Sequence, residues 1–141
     1  MNPYALLIGA ATAVIVVIHL RATKRENTRW AYPLLLATFP AFYWAFAVYA
    51  SDYVALAREL MAAAGSLAIA YVACKFRSTG TLLLLAVGYG MHAVYDVSHD
   101  LWFLNAGTPA WWPEFCGSID LMIAGYVAYL ALRRQGRPSP A

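Results

Sequence analysis

Five long apolar stretches follow one another along this chain, and they restrict its fold more than any other feature. A helix needs about 20 apolar residues to cross the roughly 30 Å hydrocarbon layer of a bilayer. The stretches Pro3–Leu20, Trp30–Ala50, Tyr53–Cys74, Thr81–Phe103 and Pro113–Leu132 all approach or exceed that length. Composition agrees: 62% of the residues are hydrophobic and only 12% charged, about half the charged share of a soluble domain. Such a chain lacks the polar groups to cover a water-facing surface, so the bilayer is its expected solvent. The N-terminal stretch has neither a positive start nor a small-residue cleavage site, so it counts as the first span, not a secretory signal. The expectation is an all-α integral membrane bundle of five transmembrane helices. Residues 1–135 form its single domain and 136–141 a flexible cytoplasmic tail.

Orientation follows from the charges between spans. The first connection carries Arg21, Lys24, Arg25 and Arg29; the third carries Lys75 and Arg77; the C-terminal segment carries Arg133, Arg134 and Arg137. With five spans, these three segments share one side. It holds nine of the ten basic residues, while six of the seven acidic residues lie elsewhere. The positive-inside rule then puts the N-terminus outside and the C-terminus in the cytoplasm. The same scatter of basic residues into short clusters argues against a nucleic-acid partner, despite a net charge of +3. The two cysteines, Cys74 and Cys116, fall at opposite ends of their spans, too far apart for a bridge within the chain. The loop before the fifth span, LNAGTPAWW, turns at Gly107 and Pro109. Its Trp111 and Trp112 suit a membrane–water interface.

Within this apolar frame, residues 92–102 read HAVYDVSHDLW. His92, Asp96 and His99 lie on one helix face, with Asp100 at its edge. Counting 1.5 Å per residue from the basic side puts His92 about 17 Å deep and Asp96 about 23 Å. Glu59 on the third span reaches about 23 Å and Asp120 on the fifth about 19 Å. Three spans therefore bring ionisable groups to one level. An isolated charge facing lipid costs about 2.5–3.5 kcal/mol by insertion scales, so these groups are expected to turn inward. They would form an outward-opening pocket among the third, fourth and fifth helices. Tyr43 and Trp44 of the second span, beside Phe42, would add an aromatic wall, with Tyr89 and Tyr95 as further ligand-facing residues. The bland alternative is a buried ion pair, in which Arg58 holds Asp96, Asp100 or Asp120 only to fix helix packing.

Three kinds of chemistry fit the cluster. His92, Asp96, His99 and Asp120 offer a mixed nitrogen–oxygen ligand set for a divalent metal such as zinc, iron or manganese. Without a metal, His92 and Asp96 would form the proton-handling pair of an enzyme acting on a hydrophobic, lipid- or isoprenoid-like molecule. Glu59 and Asp120 would then be the second acid or ligands, and aromatic faces would stabilise a carbocation. Such an enzyme would be a membrane-embedded isomerase or cyclase. The remaining alternative is a non-catalytic protein that binds or carries protons or metal ions. Membrane lipid is a partner in every case, and a homo-oligomer is compatible with all of them.

The run HAVYDVSHD followed by GTPAWWPEFCGSID resembles small bacterial multi-pass proteins of unknown function, a likeness covering the second half of the chain. It implies membership of such a family and no particular activity; the expected location is a bacterial inner membrane. The His-x-x-x-acid spacing of His92 and Asp96 is also similar to that of the emopamil-binding protein class. That second resemblance, limited to this motif, implies a compact bundle around an apolar ligand.

Overall fold

The structure is a computed structural model that describes residues 2–76 and 78–135. Arg77 and the segment 136–141, including Arg137, were counted on the basic side and lie outside the described residues. The described chain is all helical. It runs α1 (Pro3–Ala22), a single 3-10 turn (Arg25–Asn27), α2 (Ala31–Tyr49), α3 (Tyr53–Lys75), α4 (Thr79–Trp102) and α5 (Trp112–Gln135). All five α-helices are long and apolar enough to cross a membrane.

Local chemistry explains most of the boundaries. The Asn2 side chain caps α1 by accepting hydrogen bonds from the Tyr4 and Ala5 amides at 3.1 and 3.2 Å. Asp52 does the same for α3 through the Ala55 amide at 2.8 Å. Ser78 and Thr81 form a reciprocal capping box at the start of α4, which satisfies two amides that the first turn leaves open. This box moves the start of α4 ahead of Thr81. At the start of α5 the helix begins one residue before Pro113.

The helices pack in the spatial sequence α1, α5, α4, α3, α2. Ala5, Gly9 and Ala13 form the buried edge of α1. A Cβ added at Gly9 would collide with the Phe115 carbonyl and the Ser118 side chain of α5. Close contact through small residues is how helices associate where water cannot drive them together. Asn2 also donates its backbone N–H to Glu114 at 3.1 Å, which ties together the starts of α1 and α5. Ala55, Ala63, Ala70 and Ala73 form much of the buried face of α3. The central core joins Leu36 and Phe39 of α2, Leu85 and Tyr89 of α4, and Ile119, Ile123 and Val127 of α5.

Two irregularities bear on the site. Pro40 lies inside α2 and has no N–H to give to the Leu36 carbonyl one turn earlier. The loop after α4 folds back over α2, so close that a Cβ on Gly107 would overlap the Phe46 backbone.

Candidate functional site

The acid and histidine side chains of α3, α4 and α5 do converge, and they divide into two connected groups. In the first, His92 and Asp96 project from successive turns of α4, and Asp120 meets them from α5. His92 Nδ1 lies 2.8 Å from Asp120 Oδ2 and 3.5 Å from Asp96 Oδ2. Gly117 makes this approach possible, because a Cβ there would already stand 3.0 Å from Val97 and 3.5 Å from the Ala93 carbonyl. Tyr43 of α2 closes the group by donating its hydroxyl to Asp96 Oδ1 at 2.8 Å. Asp96 and Asp120 are both 0% exposed, and His92 is 5% exposed.

The second group is built on Glu59 of α3. Its Oε1 accepts from Asn105 Nδ2 at 2.9 Å and faces His99 Nε2 at 2.8 Å, while Oε2 accepts from the Tyr95 hydroxyl at 2.7 Å. The other nitrogen of His99 faces Asp100 at 3.3 Å. Tyr43 joins the two groups: its hydroxyl serves Asp96, while its ring stacks on His99 with centroids 4.6 Å apart. Asn105 donates a further hydrogen bond to the Tyr43 carbonyl at 3.1 Å, so the loop after α4 is part of the site.

Beside these groups lies a cavity of about 600 Å³, within the usual range for small-molecule sites. Pro40 and Tyr43 of α2 contribute to its wall, but most of the lining comes from α3 and α4. Small side chains on α3, at Ala62, Ala63, Gly65 and Ser66, make the trough. Along α4 the lining extends from Val87 to Trp102, about 20 Å at the helical rise. Val87, Met91, Val94 and Trp102 are lining residues that are also exposed on the outer face. The cavity therefore opens sideways, between α3 and α4, onto the apolar flank of the bundle. Glu59, His92, Tyr95 and Ser98 supply its polar wall.

Several expectations are corrected. The cavity lies among α2, α3 and α4, with no lining from α5. Helices α4 and α5 are too closely packed to leave space, and Asp120 reaches His92 from behind it. His99 does not join the His92 ligand group: Glu59 holds its Nε2, and seven residues of helix separate the two rings by about 10 Å of rise. Of the aromatic residues, Tyr43 and Tyr95 line the cavity, but Trp44 and Tyr89 do not. Trp44 follows Tyr43 and so points about 100° away around α2. Tyr89 is buried in the core and donates to the Tyr32 carbonyl at 2.7 Å. Among the described residues the packing-only ion pair does not form either: Arg58 is exposed, with its guanidinium 5.7 Å from the Phe103 ring centroid.

Asn105 was missed by sequence reasoning. Its one signal was a primary amide placed directly after a helix of buried acids, in a loop otherwise assigned only a turning role. The small cavity-lining residues of α3 gave no signal, because Ala and Gly are ordinary in membrane helices.

No family model matches this chain, nor does any curated protein or solved structure.

Proposed function

We propose that this protein is a five-pass membrane protein that takes a hydrophobic, lipid- or isoprenoid-like molecule into the cavity among α2, α3 and α4 and acts on it by acid–base chemistry. One observation carries the reading. His92 lines the cavity, while its Nδ1 is turned toward two fully buried carboxylates. The hydrogen bond that holds the ring runs through Nδ1, which leaves Nε2 as the opposite edge. Asp120, at 2.8 Å, fixes the ring and supports charge on it. The opposite edge of the imidazole is then the part that meets a bound molecule and exchanges a proton with it. Glu59 is the second proton-handling group on the cavity wall. The faces of Tyr43 and Tyr95 favour positive charge developing between them.

The sideways opening supports a ligand drawn from the bilayer. The excess of basic residues on one side supports an outside N-terminus and a cytoplasmic C-terminus.

Farnesol, an isoprenoid alcohol, tests the reading in lipid nanodiscs. Wild-type protein is expected to bind it, and Met91→Trp, at the rim, to weaken binding at least about tenfold by narrowing the opening. Lipids that co-purify with the protein supply candidate substrates. His92→Gln and Asp120→Asn should keep binding while abolishing any conversion measured by mass spectrometry. Conversion unchanged in both variants would remove the acid–base assignment.

A further inference from the structure

The group behind His92 has an unbalanced charge. It holds two carboxylates against one imidazole, and both acids are 0% exposed. Among the described residues no lysine or arginine reaches either acid. Asp96 Oδ2 faces the His92 ring at 3.5 Å without a hydrogen bond, and Asp120 Oδ1 has no partner either. Two orphaned carboxylate oxygens this far from water are costly unless a proton or a cation completes them. A single imidazolium balances one of the two carboxylates, and the other needs a shared proton or a further positive charge.

We infer that His92, Asp96 and Asp120 bind a divalent transition-metal ion, with zinc the best-fitting class. Three ligand atoms, one from each residue, lie within 4.8 Å of one another. Zinc bonded at about 2.0–2.1 Å in a tetrahedron sets neighbouring donors about 3.3 Å apart. From His92 Nδ1, Asp120 Oδ2 at 2.8 Å and Asp96 Oδ2 at 3.5 Å bracket that value, and an ion would replace the direct His92–Asp120 hydrogen bond. One nitrogen and two carboxylate oxygens suit zinc, and also iron or manganese, over soft-ligand metals. The ion supplies the missing positive charge. Tyr43, bonded to Asp96 Oδ1, is the outer contact that orients this ligand. His99 and Glu59 stand outside the set because they satisfy each other.

The site has a consequence for the cavity, which rests on the acid–base reading of His92. A metal on Nδ1 leaves the ring proton on Nε2, so His92 presents a donor to the bound molecule. The metal polarises that donor without touching the ligand, because neither Asp96 nor Asp120 lines the cavity.

Zinc itself is the probe. Protein in detergent, dialysed against zinc and then zinc-free buffer, is expected to retain one ion per chain by elemental analysis. Cobalt(II) substitution should give the visible absorption of a four-coordinate site. Asp96→Asn and Asp120→Asn should each weaken zinc at least about 100-fold, the upper range for disturbing even an outer contact. Tyr43→Phe is expected to weaken it about tenfold, and His99→Gln to leave it unchanged. Should an aspartate variant fail to fold, competition between wild-type protein and a chelator gives the affinity directly, and Tyr43→Phe supplies the change. Failure of wild-type protein to retain zinc, iron(II) or manganese stoichiometrically overturns the inference, as does retention through the Asp96→Asn/Asp120→Asn double substitution. Either outcome leaves Asp120 as the proton partner of His92, so the acid–base reading stands or falls separately on the turnover of His92→Gln.

Discussion

Tyr43→Phe removes one oxygen atom from the junction between the two polar groups, and the structure allows its cost to be worked out. The hydroxyl is buried and donates to Asp96 Oδ1 at 2.8 Å. Asp96 Oδ2 has no hydrogen bond, so the substitution strips the acid of its remaining one. A hydrogen bond to a charged group is worth about 1.5–3 kcal/mol in soluble proteins. Bonds between membrane helices average about 0.6 kcal/mol and reach about 1.7. Full burial and the lack of any substitute donor place this bond at the upper end, about 1–2 kcal/mol. The phenyl ring keeps its stacking on His99, so the loss isolates the hydroxyl. Tyr32→Phe is the matched control, since its hydroxyl is buried without a partner and should cost less than about 0.5 kcal/mol. Reversible unfolding by steric trapping in bicelles measures both. In a double-mutant cycle with Asp96→Ala, which removes the acceptor, most of the Tyr43→Phe cost should vanish. Equal costs for the two tyrosines, or additivity in the cycle, would refute the reasoning.

Other substitutions test the fold and the cavity separately. A Cβ at Gly65, in the cavity wall, meets nothing within 4 Å; Gly65→Phe should therefore unfold within about 0.5 kcal/mol of wild type yet lose farnesol binding at least tenfold by equilibrium dialysis. At Gly88 a Cβ would stand 2.9 Å from Ile69 and 3.1 Å from Leu36, and Gly88→Ala should cost about 1–3 kcal/mol in the same unfolding assay. Gly107→Ala should cost more than Gly88→Ala, because the obstacle is the Phe46 backbone and cannot swing aside. Arg58→Ala removes a contact to the Phe103 ring at an exposed position and should cost no more than about 1 kcal/mol, with farnesol binding unchanged.

The sequence revealed the helices because hydrophobic length is a local property, summed over one segment at a time. All five expected starts fall within two residues of the observed ones, and those of α1 and α3 coincide with them. That Glu59 and Asp120 meet the histidines of α4 was also legible, since the helical rise counted along each span brings them level with it. What a single sequence does not encode locally is which helices touch. The pocket was expected beside α5, and the decisive fact against it is the close contact at Gly117, visible only when α4 and α5 are side by side. Periodicity placed His92 and His99 on one face, which is true, but a shared face does not mean a shared partner. Each ring is claimed by an acid from a different neighbour, Asp120 or Glu59.

Because the trough beside α3 faces the flank of the bundle and not an aqueous end, the proposed function makes the surrounding amphiphile the source of its contents. A linear alkyl detergent present at millimolar concentration would act as a competitive occupant throughout purification. Weak farnesol binding in such a micelle would report displacement chemistry, whereas nanodiscs of two-chain lipid impose a bulkier competitor. The choice of solubilising agent is thus an experimental variable of the same rank as the choice of mutant.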